Sequence, residues 1–211
     1  MVRIKCGKNQ VDIFNTRYRI SVINMLAAKY SLYSKIEVLR KHFEIGSFLE
    51  SFEDSVEFPT LHFEYSERKM KCQDLKIEES CFEASVANFL EISLFKSTEN
   101  VLDRKCFLVL GFKTPEDGSI DYFISNWREL TGLGNILLFL SQKYVVRRVM
   151  FMKNMASVGR DDNMFQFLLM LEVFHKQGDL IYLLDFVQQN RNWRNVGFIS
   201  LYGEIPANVQ D

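Results

Sequence analysis

The chain has 211 residues and a formal net charge of −1, and hydrophobic residues make up 47% and aromatic residues 14% of it. This length suits one large domain or two small ones, and the composition excludes a disordered chain. The longest apolar stretch, residues 164–174, is interrupted by Gln166 and Glu172 and is too short for a membrane helix. No apolar segment of a signal peptide follows the basic N-terminal residues, so we expect a cytoplasmic protein with no membrane partner.

Charge is distributed unevenly along the chain. Residues 1–46 carry a net charge of +6, residues 47–123 carry −8, and residues 124–211 carry +1. Two interpretations remain open: the basic and acidic segments either face each other or give the surface a preferred side for partners.

The first thirty residues predict a hairpin followed by a helix. Residues 2–6 and 10–14 alternate apolar and polar positions, and Gly7-Lys8-Asn9 between them suits a tight turn. Helical spacing follows at Ile20, Ile23, Met25, Leu26 and Tyr30. A hairpin that leads into such a helix is typical of the β-grasp, or ubiquitin-like, fold.

The pattern up to residue 114 extends this unit. It predicts, in order, a helix over 32–43, a short apolar turn at Phe48, Leu49 and Phe52, a second hairpin from strands 61–65 and 70–77, a helix within 81–95, and a buried central strand over 106–112. We therefore predict an α+β fold whose first domain, residues 1–114, is a β-grasp domain with a helical insert.

The Pro- and Gly-bearing turn at 115–118 predicts a domain boundary, and residues 119–211 predict a helical subdomain. Four helices are expected, over 120–130, 136–152, 164–176 and 180–189. Gly178 suits the end of the third helix, and Asp179 suits the cap of the fourth. These last two helices would form an antiparallel pair, and because the third is apolar on all sides, it would need either a neighbouring helix or a partner protein to cover it.

The N-terminal segment also resembles a known family through Ile4-Lys5, Gly7, Asn9-Gln10, Asn15-Thr16, Ser21-Val22 and Leu26. A further similarity is the placement of the strand 106–112 before a helix that contains Tyr122. The family comprises small uncharacterised vertebrate proteins with an N-terminal ubiquitin-like region, associated with ciliated cells. The resemblance implies a component of the ciliary axoneme that contacts microtubules.

Signals for catalysis, metal binding and cofactor binding are weak. His42, His62 and His175 lie in different predicted elements without metal-ligand spacing, and His62 with Cys72 would supply only two ligands. The four cysteines, Cys6, Cys72, Cys81 and Cys106, form no CxxC motif and are expected to be buried and reduced. Gly132-Leu133-Gly134 completes no phosphate-binding motif and is expected to be a turn. We predict no catalytic residue, no metal and no cofactor.

The sequence therefore predicts a non-enzymatic structural or protein-interaction component of a larger assembly. Its partners would be other proteins, with tubulin or axonemal proteins as the more specific hypothesis. The predicted partner-binding residues are Arg17, Arg19, Phe165, Phe167, Leu171, Arg191, Trp193 and Arg194. Two alternatives stay open. One is a nucleic-acid-binding module, suggested by aromatic residues among arginines but opposed by a pI near 6.3, and the other is an enzyme with an unrecognised site between the two halves.

Overall fold

The computed structural model describes residues 17–25, 46–53, 56–66, 75–79, 82–96, 104–114, 119–154, 165–176, 178–192 and 197–205. For 17–25, 64–66, 75–79 and 82–96 the description concerns the backbone.

Within the residues that the structure describes, nine antiparallel strands form one sheet. They are β1 (Arg17–Met25), β2 (Ser47–Ser51), β3 (Thr60–Ser66), β4 (Leu75–Glu79), β5 (Phe82–Lys96), β6 (Arg104–Phe112), β7 (Val145–Asn154), β8 (Phe167–His175) and β9 (Phe198–Glu204). Their order is β1-β3-β2-β9-β6-β8-β7-β5-β4, and β1 also pairs with β5 along its whole length. The pairing between β1 and β5 closes eight of the strands into a ring, to which β4 is attached through β5.

The second half of the chain, from β6 to β9, has a recognisable topology. Between β6 and β7 lie the short helices α1 (Ile120–Ser125), α2 (Trp127–Leu130) and α3 (Leu133–Leu140), and between β8 and β9 lies α4 (Leu180–Asn190). The strands of this half lie in the order β9-β6-β8-β7. A β-α-β-β-α-β chain with this order is the ferredoxin-like arrangement.

Both faces of the central strands are buried, against different neighbours. One face packs on the helices and forms the outer core, in which alternate residues of β8 (Phe167, Leu169, Leu171 and Val173) contact residues such as Phe123, Trp127 and Leu183. The remaining positions, Leu168 and Met170, join the inner core on the other face, together with Leu49, Phe58, Val109, Met150 and Tyr202. Because successive residues of a strand point to opposite faces, a strand between two cores is apolar at nearly every position.

The β-grasp prediction is wrong. The predicted N-terminal hairpin and the helix over 32–43 lie outside the described residues, but Ile20, Ile23 and Met25 lie in strand β1 and not in a helix. The expected apolar turn at 48–52 is mostly strand β2, and the expected helix within 81–95 is strand β5. Strands near 61–65 and 75–77 exist, but they form no hairpin: β3 pairs with β1 and β2, while β4 pairs with β5.

The helical subdomain is also wrong in most of its length. The predicted helix over 180–189 is confirmed as α4, whereas the single helix predicted over 120–130 is two short helices, α1 and α2. The predicted helix over 136–152 ends at Leu140 before strand β7. The apolar segment 164–176 is strand β8, so the predicted antiparallel helix pair does not form. Residues 106–112 are a buried central strand as predicted, with β8 on one side and β9 on the other. The predicted boundary at 115–118 lies outside the described residues, and the division into 1–114 and 119–211 stays a prediction.

Among the described residues, the helices are all too short or too polar to span a lipid bilayer.

Candidate functional site

A cavity of about 250 Å³ lies between segments from the two halves of the chain. Val56 and Glu57, from the connection between β2 and β3, form one side of it. Arg191, which follows α4, and residues 197–199 at the start of β9 form the other side. Val56, Phe198 and Ile199 give the cavity an apolar wall, and Arg191 and Glu57 supply two opposite charges, so polar and apolar groups both face it.

Arg191 is held at the cavity by a carboxylate from the other half of the chain. One guanidinium nitrogen, Nη2, forms an ion pair with Oε1 of Glu53, which follows β2. The Glu53 side chain is 10% exposed and that of Arg191 is 40% exposed. A guanidinium has five N–H donors, so a half-exposed arginine with one nitrogen paired keeps donors for a ligand.

Two serine hydroxyls complete the surroundings of Glu53. Ser200 Oγ lies 2.9 Å from Glu53 Oε2 and donates to it, and Ser51 Oγ lies 3.0 Å from Ser200 Oγ. A hydroxyl carries one proton, so Ser200 must accept from Ser51 while it donates to Glu53. Ser51 Oγ in turn accepts from the Glu53 backbone N–H at 3.0 Å. The three residues thus form a closed loop of hydrogen bonds, in which Glu53 donates to Ser51, Ser51 to Ser200 and Ser200 back to Glu53.

The sheet brings this loop together from distant parts of the sequence. Ser51 lies opposite Tyr202 in the pairing of β2 with β9, so Ser51 and Ser200 lie near each other across the two strands. The backbone N–H of Ser51 donates to Pro59, and that of Phe52 donates to Leu201, which fixes the end of β2 before Glu53. The loop therefore depends on the pairing of β2 with β9.

Three aromatic rings support the apolar wall. Phe198 lines the cavity, and its ring is stacked on Phe165 at 5.5 Å and packed edge-on against Phe58 at 5.2 Å. Phe58 and Phe165 are themselves edge-to-face at 5.4 Å. The Phe165 ring lies directly over Gly111, where a Cβ atom would come within 2.4 Å of it. Gly111 therefore permits the ring position on which the wall depends.

Tyr202 lies beneath this site. It is fully buried, and its hydroxyl donates to the Phe58 carbonyl at 2.6 Å. Burial raises the pKa of Tyr202 well above its usual range, and the nearby charges of Glu53 and Glu57 raise it further. Tyr202 is therefore a neutral structural donor that ties β9 to the segment carrying Phe58.

A second group of charges lies on the same face of the sheet, toward the other end of β9. Glu204 pairs with Lys105 and accepts a hydrogen bond from Ser47 at 2.8 Å. Burial opposes ionisation of Glu204, but the hydrogen bonds from Lys105 and Ser47 outweigh it and hold its pKa below the usual range. Arg148 Nε lies 3.5 Å from Glu172 Oε2 on the neighbouring strands. Each charge has a partner of opposite sign, which is typical of a structural role.

The predicted partner-binding residues are not brought together. Arg17 and Arg19 lie on β1, Arg191 lies at the cavity, and Trp193 and Arg194 lie outside the described residues. Phe165, Phe167 and Leu171 are buried by the chain's own residues and offer no exposed surface.

The described residues contain no group of three or more potential metal-ligating side chains. Cys106 is buried as predicted, and its thiol contacts the Val173 carbonyl, while the other cysteines lie outside the described residues. Gly132 has φ +65° and forms the end of a turn before α3, whereas Leu133 and Gly134 of the predicted turn are the first residues of that helix.

Sequence reasoning missed Ser51, Glu53, Glu57 and Ser200. They belong to no motif, and up to 149 residues separate the hydroxyls that meet. The only available signal is the presence of small polar residues within the strand at 198–204, which was itself not predicted.

Three comparisons relate the chain to known proteins. The model of a family described as a domain of unknown function, DUF7153, matches residues 43–204. No curated protein sequence matches the chain. A crystal structure described as an anthrone oxidase-like protein superposes with a TM-score of 0.50 and 10% identity, covering 91% of this chain and 92% of that one. Chlorite dismutase from Candidatus Nitrospira defluvii, in complex with imidazole, superposes with a TM-score of 0.45 and 9% identity over 91% of each chain.

These findings correct the prediction of function. The non-enzymatic structural role was predicted from the weak catalytic signals, and its ciliary, axonemal and cytoskeletal version was implied by the resemblance to a family with a ubiquitin-like region. The chain instead shares its fold with a protein described as oxidase-like, so both that role and the prediction that the chain is not an enzyme are wrong. The alternative of an enzyme with a site between the two halves fits the fold better.

Proposed function

Because the chain belongs to the DUF7153 family and shares its fold with the anthrone oxidase-like protein, we propose that it is an enzyme whose active site is the cavity between its two halves. The observation that carries the proposal is the placement of Arg191 at this cavity. The largely buried carboxylate of Glu53, itself bound by the buried Ser200 hydroxyl, holds a half-exposed guanidinium beside an apolar wall. A concave site that combines an apolar wall with a few convergent polar groups is the usual form of a small-molecule site.

The chemistry that suits these groups is proton abstraction next to an oxygen function. Glu57 is exposed at the cavity and can act as the general base, accepting a proton from a substrate C–H or O–H group. The electron pair left behind moves onto the substrate oxygen and gives an enolate or phenolate. Arg191 stabilises this developing negative charge through its free N–H donors.

Volume and wall composition limit the substrate. About 250 Å³ is slightly below the range of about 300–1,000 Å³ typical of drug-sized ligands, so the substrate is small. The Phe198 ring is fixed by two neighbours and favours a flat aromatic surface against it. The related solved structure is described as anthrone oxidase-like, and an anthrone is a flat aromatic ketone with an acidic CH₂ group. Enolisable aromatic ketones are therefore the first class to test.

The test measures proton abstraction directly. Purified full-length protein is mixed anaerobically with anthrone or 2-tetralone in D₂O buffer, and loss of the methylene proton signal is followed by NMR. We expect the wild type to accelerate exchange over buffer, and Glu57→Gln to lose about 100-fold of that acceleration because a positioned general base contributes about 10²–10⁴. Glu129→Gln, on the exposed surface of α2, is the matched control and should exchange at the wild-type rate.

If both ketones exchange no faster with the wild-type protein than in buffer alone, the proposed reaction is refuted. A Glu57→Gln variant as fast as the wild type would remove Glu57 from the role of base.

A further inference from the structure

The contact between Glu53 and Arg191 has an unusual form for a carboxylate and a guanidinium. Such pairs are frequently bidentate, with two parallel N–H···O bonds. Here one nitrogen of Arg191 contacts one oxygen of Glu53, and Ser200 occupies the other oxygen. Ser200 thus takes one acceptor position of the carboxylate oxygen that the second arm of the arginine fork would use.

Ser200 cannot touch a ligand itself. It is 0% exposed and lies on the strand beneath Glu53, donating to Oε2 at 2.9 Å. Because Ser51 donates to it in turn, the Ser200 proton has no other orientation that satisfies both bonds. The carboxylate plane of Glu53 is consequently fixed by a donor that is independent of Arg191.

From this we propose that Ser200 is a positioning residue that keeps Arg191 singly paired and its remaining N–H donors directed to the cavity, where they bind the anionic oxygen of an aromatic ligand. Loss of the hydroxyl frees Oε2 of Glu53. Arg191 then forms the bidentate pair, and its donors turn away from the cavity. The inference deepens the proposed function, since it concerns how the same site recognises the oxygen of its substrate.

The experiment measures binding and not turnover. Isothermal titration calorimetry of the full-length protein compares sodium benzoate with benzamide, which has the same ring and no charge. The ratio of the two affinities reports the charge contact at Arg191. We expect the wild type to prefer benzoate, and Arg191→Gln to abolish the preference.

Two serine variants separate positioning from general loosening of the site. Ser200→Ala should lower the benzoate preference about tenfold, equivalent to about 1.4 kcal/mol. Ser51→Ala removes a partly buried hydroxyl from the same loop but leaves the bond from Ser200 to Glu53. Its benzoate preference should therefore stay within about twofold of the wild type, equivalent to about 0.4 kcal/mol. Ser200→Thr keeps the hydroxyl and should retain most of the preference. Thermal unfolding of each variant checks that it is folded.

The inference fails if Ser200→Ala keeps the wild-type preference, if Ser51→Ala loses as much as Ser200→Ala, or if the wild type does not prefer benzoate. The result is distinct from that of the exchange assay. If the benzoate preference depends on Ser200 but the protein does not accelerate ketone exchange, the positioning role is supported and the proposed reaction is refuted. If the protein accelerates exchange but its benzoate preference does not depend on Ser200, the reaction is supported and the positioning role is refuted.

Discussion

Replacement of Gly111 by Ala tests the packing behind the cavity wall. An added Cβ would lie 2.4 Å from Cγ and Cδ2 of Phe165 and 2.6 Å from Cδ1, far inside van der Waals contact. The ring cannot easily move away, because Phe58 and Phe198 pack against it and it is almost fully buried. Overpacking of this kind costs about 1–3 kcal/mol, so Gly111→Ala should lower the free energy of unfolding by that amount.

Gly197 offers a matched control on the neighbouring strand end. There an added Cβ would meet its nearest atoms, the Gly111 carbonyl oxygen and Phe165 Cε1, at 3.6 Å, which is an ordinary contact. Gly197→Ala should therefore leave the free energy of unfolding unchanged, or raise it by up to about 1 kcal/mol because alanine lowers the conformational entropy of the unfolded chain. Equilibrium urea unfolding measures both variants, and a change in the midpoint without a change in slope indicates a change in stability.

A double variant makes the test specific to the ring. Phe165→Ala removes Cγ, Cδ1 and Cδ2, the atoms that clash, so the combination with Gly111→Ala should cost less than the two single changes added together. Additive costs, or a Gly111→Ala variant as stable as the wild type, would refute the account of the wall.

Three further predictions concern buried polar groups. Tyr202→Phe removes the donor to the Phe58 carbonyl and should lower the free energy of unfolding by about 1–2 kcal/mol, measured in urea; no loss would show that this bond is dispensable. Arg148→Ala leaves the buried Glu172 without its counter-charge and should lower the free energy of unfolding by about 1–2 kcal/mol. The cost is small for a buried charge because Arg148 is one-third exposed. Changing both residues to Leu should recover the lost stability. Burial raises the pKa of Cys106 from 9.0 to about 12, so the unfolded chain releases this proton first as the pH rises. Its contribution to stability is complete below pH 9 and is lost between pH 9 and 12, and Cys106→Ala should flatten thermal stability over that window.

The hydrophobic pattern of the sequence located several secondary-structure elements correctly but did not always identify them correctly as helices or strands. The segment 106–112 is apolar throughout, the segment 167–175 is apolar apart from Glu172 and His175, and both are central strands. Charged neighbours and a nearby proline marked the first as a short strand, whereas the second belonged to a longer, mostly apolar segment and matched a helix equally well. An apolar run cannot separate a buried helix from a strand with two buried faces.

The topology and the site depended on contacts that local patterns do not contain. The second half of the chain has the six elements of the ferredoxin-like arrangement, but its β9 strand was not predicted, and without it the order could not be derived. The helix at 180–190 was correctly predicted because Asp179 precedes an amphipathic run, although Asp179 forms no side-chain capping bond. Glu53, Ser51 and Ser200 meet only because β2 pairs with β9, so no local spacing marks them as a site.

The closure of the sheet also determines when the site can exist during synthesis. Ser51 and Ser200 are 149 residues apart, and at about 5–20 residues per second the ribosome needs roughly 7–30 s to make the intervening chain. Until β9 emerges, one edge of β2 has no partner, and an unpaired edge is a template for pairing with another nascent chain. The loop around Glu53 assembles in the same step that removes this edge. A chain cut short before Phe198 would therefore lack the cavity and keep its aggregation-prone edge, which makes it a ready client for chaperones and proteases.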